Sequence, residues 1–285
     1  VVGNGVKAQL AVTMALAGSR IPTIWVKHDH SHDRALARIL GQRATYVVPT
    51  ALEVGLPTGR TDAIVIEAAR PPEPLPAHDA KQELQARGWT PERRLTLGTI
   101  TRLVPYKGVD LAIQALADPG SEQWNLLVIG GDDPATPDES TRLGTLAENL
   151  GVADRVFLAG AIPGAGRLLT AVDAVGVLTR PGQPGAPTKE GYGIVASEAM
   201  MAAVPVVVAQ SGPISRRLDT PEGPAGITLA APEPPLLAQA LHTLSADDVR
   251  HRLGAAGRAA AQDFPTQTDI ARQFVDVVER ARGGR

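Results

Sequence analysis

Two carboxylates eight positions apart, Glu190 and Glu198, bracket the turn Gly191-Tyr192-Gly193, and that turn runs into an apolar segment beginning at Ile194. Glycines at 191 and 193 let the backbone bend and come close to a ligand, and the start of a helix carries unpaired N–H groups that favour an anion. A carboxylate is a good acceptor for the paired hydroxyls of a sugar or ribose. The segment therefore outlines a grip for a nucleoside diphosphate sugar, with hydroxyls on both sides of a phosphate. Taken alone, it is equally an exposed acidic helix start favoured by the helix dipole.

A second cluster, Thr101-Arg102-Leu103-Val104-Pro105-Tyr106-Lys107-Gly108, lies between a strand-like run and a helical period. Arg102 offers a fork of donors and Lys107 a mobile point charge, a pair suited to neutralising a diphosphate as it leaves. The plain alternative is a solvated surface turn. A third cluster, His28-Asp29-His30-Ser31-His32-Asp33, follows the strand-like Thr23 to Val26. Alternating histidines suggest a metal-dependent hydrolase built on His28, His30 and His32. Only His78, His242 and His251 remain to complete such a site, and no motif accompanies them. The structural alternative is a solvated His-Asp loop at the start of the helix near Ala35. Gly3-Asn4-Gly5-Val6-Lys7-Ala8 fits a loose dinucleotide fingerprint, but no acidic residue follows at the required distance, so it reads as a strand-to-helix turn.

These clusters need elements to hold them. Strand-like runs occur at Tyr46 to Val48, Ala63 to Ile66, Leu95 to Ile100, Asn125 to Ile129, Val156 to Leu158, Ala174 to Leu178, Val206 to Ala209 and Ile227 to Leu229. Helical periods fill the gaps, as in Val109, Ala112, Ile113, Leu116 and in Leu237, Ala240, Leu241, Leu244. Such alternation predicts α/β, doubly wound parallel sheets with ligands at the carboxyl ends of the strands. Four prolines between Arg70 and Ala77 mark a linker. A last amphipathic helix is predicted over Thr266 to Arg282.

The 285 residues carry 28 Lys+Arg against 30 Asp+Glu, a formal charge of -2, so there is no overall electrostatic case for nucleic acid. No cysteine is present, which removes disulfides and thiol chemistry and suits a cytoplasmic protein. No run is long and apolar enough to predict a membrane span, which leaves room for a peripheral membrane contact. The chain opens at Val1 in the middle of an α/β pattern, and a missing N-terminal portion is expected.

Residues 102–108 and 190–199, in this order and spacing, resemble the Gly-Arg-Leu…Lys-Gly and Glu-Gly-Phe-Gly-Ile…Glu-Ala segments of the retaining glycosyltransferases of family four. The resemblance spans most of the chain. It implies the GT-B fold of two Rossmann-like doubly wound domains, the N-terminal one incomplete here: residues 1–72 on the acceptor side, 73–263 binding the donor, and 264–285 a helix crossing back. It implies that Arg102, Lys107 and the backbone of Gly193 and Ile194 hold the donor diphosphate. Glu190, Gly191, Tyr192 and Glu198 would hold sugar and ribose, and Gly130 and Gly131 would lie near the nucleotide. Glu190 and His28 are the residues expected beside the reacting sugar. No metal or other cofactor is expected. The donor would be a UDP-, GDP- or ADP-sugar and the acceptor a sugar, a lipid or a small molecule. A catalytically silent relative acting as a binding subunit is the other implied possibility. The sequence departs from the family at Thr101 and Ala203, where glycine is usual, at Tyr192 in place of Phe, and at Ser215 in place of Glu.

Overall fold

The computed structural model describes residues 1–30, 32–33, 35–91, 93–180, 192–210 and 212–283. These fall into two compact units, the first built from residues 1–70 with 192 and 264–283, the second from 71–180 with 193–263.

In the first unit β1 (Val2–Asn4), β2 (Ile24–Lys27) and β3 (Tyr46–Pro49) form a parallel sheet in that order, with α1 (Val6–Ala15) and α2 (Ala35–Arg43) as the crossovers. Trp25 and Val47 face a core shared with Val6, Ala37 and Leu40, while Ile24 and Val48 face Ile66, Val277 and Ala281. Successive strand residues thus bury on opposite faces, as a sheet covered on both sides requires. A short helix, α3 (Leu52–Gly55), follows β3. Arg60 donates to the carbonyls of Gly41 (3.1 Å), Ala44 (2.7 Å) and Thr45 (3.1 Å), satisfying acceptors that the end of α2 would otherwise leave open. The strand expected at Ala63 to Ile66 is not regular. Only the amides of Ile64 and Ile66 bond to β3, at Val47 O and Pro49 O (3.0 Å each), so the segment borders the sheet without joining it.

The second unit opens with α4 (Ala77–Gln85), which starts directly behind the prolines; Pro76 stands at its N-cap, where a missing N–H costs nothing. Its central sheet has the order β11-β8-β7-β4-β5-β6, all parallel. The strands are β4 (Leu95–Ile100), β5 (Trp124–Ile129), β6 (Val156–Leu158), β7 (Ala174–Val177), β8 (Val206–Val208) and β11 (Gly226–Thr228). A two-residue antiparallel pair, β9 (Asp219–Thr220) and β10 (Gly223–Pro224), precedes the last strand. Around the sheet lie α5 (Val109–Ala117), α6 (Glu139–Asn149), α7 (Ile194–Met201), α8 (Pro213–Leu218), α9 (Pro234–Thr243) and α10 (Asp247–Gln262); α11 (Gln267–Gly283) belongs to the first unit. The apolar stripes of α5 and α9 meet in one core with Leu95, Leu97, Trp124 and Leu126. Trp124 is wholly buried, and its Nε1 donates to Ser245 Oγ at 3.1 Å, so its polar edge is satisfied.

Ala203 adopts φ 56° in the turn after α7. Such a backbone suits glycine and costs alanine about 1 kcal/mol, which explains why glycine is usual there. Ser215, which replaces a common Glu, takes Gly212 N at 2.7 Å and donates to Gly212 O at 2.9 Å, closing the first turn of α8.

Candidate active site

Strands β4, β5 and β6 run outward from β4 on one side, and β7, β8 and β11 continue on the other. The order therefore reverses between β4 and β7, and in open parallel sheets the crevice that binds ligands lies at the carboxyl ends of the strands at such a point. Both sequence clusters of this unit sit there. Arg102 and Lys107 follow β4, and Gly193 to Glu198 come after β7.

Close backbone approach shapes the first loop. Thr101 N donates to Ile129 O (3.0 Å) and Leu103 N to Gly131 O (2.9 Å), drawing the β4 and β5 loops together. A side chain at Gly130 would lie 1.6 Å from Thr101 O. Gly130 thus has a packing reason that is independent of any nucleotide. The loop then makes one 3-10 turn, Pro105–Lys107, before α5.

Arg102 is 64% exposed, pairs with Asp133 through Nη1 and donates to Tyr106 Oη at 3.2 Å. Asp133 accepts from the Ala135 amide at 3.0 Å, and this bond, with Arg102 adding to it, holds its carboxyl below the usual range. Lys107 Nζ lies 3.3 Å from Thr179 Oγ1 and 5.8 Å from the centre of the Tyr106 ring, close enough for a cation–π contact. Thr179 comes from the end of β7. Two cations on one side of the crevice are therefore preoriented by groups from β5 and β7.

On the other side, α7 begins at Gly193, whose φ of 77° belongs to the left-handed region. A side chain there would also strike Ile214, 2.5 Å from its Cδ1. Glycine is required twice over. Ala196 N–H already bonds Gly193 O (3.0 Å), which leaves the amides of Ile194 and Val195 without an acceptor among the described residues, and Ile194, 59% exposed, starts a helix end open to an anion. Glu198 lies one turn on, with its carboxylate against the backbone of Gly166, and burial pushes its pKa up. α10 backs this helix through Gly257, which faces Met200. Tyr192 is buried in the first unit, where its hydroxyl donates to Ala68 O at 3.2 Å. Glu190 and Gly191 lie outside the described residues.

The histidine cluster lies at the carboxyl end of β2, and its members do not converge. His28 Nε2 pairs with Asn4 Oδ1 at the end of β1, and the His28 carbonyl accepts from Thr50 Oγ1 at 3.2 Å. His30 departs from the solvated-loop alternative: it is only 5% exposed, with Nδ1 2.7 Å from Asp33 Oδ2 and Nε2 without a hydrogen-bond partner among the described residues. His32 is exposed, at φ 58°. Beneath them Lys27 is fully buried; its Nζ bonds Asp33 Oδ1 at 2.6 Å and the Asp29 carbonyl. No group of three or more His, Asp or Glu among the described residues is placed to hold a metal. The alternative of a metal-dependent hydrolase on His28, His30 and His32 therefore finds no common centre among the described residues: His28 turns to Asn4 and His30 to Asp33. Lys27, Asp33, Asp133, Thr179 and Arg180 were missed in the sequence. A lysine inside an apolar strand, followed six residues later by Asp33, was the signal available for the first pair.

The family model of glycosyl transferases group 1 matches residues 80–260. D-inositol 3-phosphate glycosyltransferase of Acidothermus cellulolyticus is 31% identical over 171 residues, which cover 58% of this chain and 36% of that protein. The same enzyme of Stackebrandtia nassauensis is 31% identical over 205 residues, covering 67% and 43%. The chain thus spans less than half the length of these relatives. Among solved structures, HepE of Anabaena, crystallised with UDP and glucose, superposes with a TM-score of 0.80 at 22% identity, over 96% of this chain and 76% of that one. Sucrose-phosphate synthase of Thermosynechococcus elongatus gives a TM-score of 0.82 at 19% identity, over 100% and 74%. The fold is of GT-B type, with parallel-sheet α/β units. With the group 1 model matched across most of the second unit, the chain belongs to the glycosyl transferases group 1 family.

Proposed function

We propose that this protein is a retaining glycosyltransferase that moves a sugar from a nucleoside diphosphate sugar to an acceptor hydroxyl without a metal ion. The observation that carries the reading is the strand order: Arg102 and Lys107 follow β4 and the start of α7 follows β7, the two strands that flank the point where the order reverses. Arg102 and Lys107 neutralise the diphosphate, and the amides at Gly193 and Ile194 bind it from the opposite side. Glu198 accepts from the ribose hydroxyls. Glu190 grips the transferred sugar, a role supported by its place in the sequence motif alone. His28, at a strand end of the first unit, is the acceptor-side residue. In a retaining front-face step the leaving phosphate takes the acceptor proton, so no dedicated protein base is assigned. That relatives carry the name glycosyltransferase, and that a structural neighbour was crystallised with UDP, supports the class of ligand.

The test is sugar release across UDP-, GDP- and ADP-sugars, with and without EDTA. Activity is expected to survive EDTA; a full loss restored by manganese sinks the metal-free step. Donor binding without turnover on any acceptor supplied removes the enzymatic half of the reading. Lys107→Ala is expected to weaken the nucleoside diphosphate itself by about tenfold to a hundredfold, the range for a lost charge-assisted bond, whereas Glu190→Ala impairs chiefly the sugar-bearing donor. Equal losses for both ligands in both variants contradict this division of labour.

Glu198 gives a test that separates stability from binding. Its folded-state pKa is raised by burial, so the folded protein resists ionising it. The unfolded chain ionises more readily, and stability falls as pH rises through the interval between the two values. Glu198→Gln is expected to raise Tm, by a margin that widens from pH 4 to pH 8, while weakening nucleotide binding. Denaturation curves and titrations at several pH values check both, and a lowered Tm at pH 8 refutes the assignment.

A further inference from the structure

We propose that Arg180 is the positioning residue of the phosphate-binding loop, clamping the turn Pro105–Lys107 onto the end of β7 so that Lys107 stands at the switch-point crevice. This assignment rests on the donor-binding reading above. The Arg180 backbone N–H donates to Tyr106 O at 2.7 Å. Its Nη2 donates to Pro105 O at 2.5 Å and to the two oxygens of Asp110 at 2.8 and 3.0 Å. Pro105 and Tyr106 begin the turn that Lys107 ends, and Asp110 lies in the first turn of α5. One residue therefore ties the start of the turn to the first turn of α5, while its neighbour Thr179 meets Lys107 Nζ.

The turn is short, and side-chain contacts from Arg102 and Thr179 add to its own bonds. Its internal bonds are Lys107 N to Val104 O (2.9 Å) and Gly108 N to Pro105 O (3.3 Å), and so short a 3-10 turn has poor hydrogen-bond geometry of its own. The tie also carries a cost in satisfaction. Arg180 is 18% exposed, and its Nε is buried with no partner among the described residues. An arginine serving packing alone would gain by turning that N–H to an acceptor. Here the side chain is aimed so that Nη2 reaches Pro105 and Asp110 together. Asp110 retains a second cation, Arg142 at 3.7 Å, so Arg180 is more than its counterion.

The experiment is calorimetric titration of the full chain with UDP, GDP and ADP. Arg180→Met is expected to weaken the diphosphate that the parent binds by about tenfold, the scale of a misplaced binding group. On a Lys107→Ala background the same change is expected to cost nothing further, because Arg180 acts through Lys107. Additive losses overturn the assignment, as does unchanged affinity in Arg180→Met. In Arg180→Met/Asp110→Asn the affinity is expected to stay low; recovery to the parental value would make a bare Asp110 charge the cause and overturn positioning. Where circular dichroism shows Arg180→Met unfolded, Arg180→Lys keeps a cation beside Asp110, is too short to reach Pro105 O as well, and carries the same cycle. If the parent binds none of the three diphosphates, the donor reading fails and this assignment falls with it.

Discussion

Replacing Asp33 by alanine is expected to destabilise the first unit by about 3–5 kcal/mol, the cost of leaving one member of a buried ion pair without its partner. Lys27 is fully buried, and Asp33 supplies the charge that opposes it while also accepting from His30. Truncation strands an ammonium beneath the loop and frees His30 Nδ1 as well. Lys27→Met combined with Asp33→Ala removes both charges and is expected to be far milder than the single change, because no buried charge is then left without a partner. Urea denaturation of the two single variants and the double checks this. A single Asp33→Ala loss below about 1 kcal/mol, or a double variant as weak as the single, rules out the ion pair as the cause.

The same pair sets an acid limit. Burial alone would raise the Asp33 pKa, but the hydrogen bonds from His30 and Lys27 and the Lys27 charge outweigh it, and the folded value lies below the ordinary 3.8. A depressed carboxylate contributes stability that is present above its unfolded pKa and lost as pH falls through the folded one. The contribution of this pair is therefore intact at neutral pH and disappears only in strong acid.

Gly130→Ala carries the second large effect. With 1.6 Å between the new methyl and Thr101 O, the backbone of one strand end must move, since neither atom belongs to a flexible side chain. Moving it breaks either Thr101 N to Ile129 O or Gly130 N to Gly160 O, both ladder-like bonds at the carboxyl edge of the sheet. A loss of more than about 3 kcal/mol is expected, together with displacement of Arg102. Gly131→Ala is the control, because its added methyl would meet Ala161 at an ordinary 3.6 Å. Thermal melts of both variants decide the point, and equal behaviour refutes the steric account.

The second sheet was legible because Leu95 to Ile100, Val156 to Leu158 and Val206 to Ala209 are apolar runs between turn residues, which parallel strands buried on both faces produce. α4 was not, since it follows four prolines and buries only Ala80 and Leu84 on an otherwise polar sequence. α10 was not legible either: it carries Gly254 and Gly257, poor helix formers in isolation, at the places where it lies against the turn after α7 and against Met200. Ala63 to Ile66 shows the opposite error, strand composition without a full ladder. At the site, Arg102 and Lys107 could be found from their strand–loop–helix setting. Arg180 could not, because Asp110, Pro105 and Tyr106 are at least 70 residues upstream and no local spacing points to them. The burial of His30 was not legible for a related reason: its partner Asp33 also meets Lys27, which comes from the preceding strand.

The strand order has a consequence for how the crevice comes into being. On each side of β4 and β7 the strands follow one another in the chain, so their pairing closes comparatively short loops. Pairing across the seam is different, for Lys107 and Thr179 are 72 residues apart. Loop-closure entropy grows with the logarithm of length, by about 0.6 kcal/mol for each doubling, and this seam is the longest closure between neighbouring strands of the sheet. Neither half-sheet contains both loops. A chain that has folded either half alone lacks the switch point, so binding of the proposed nucleotide there would double as a report that the topology is complete.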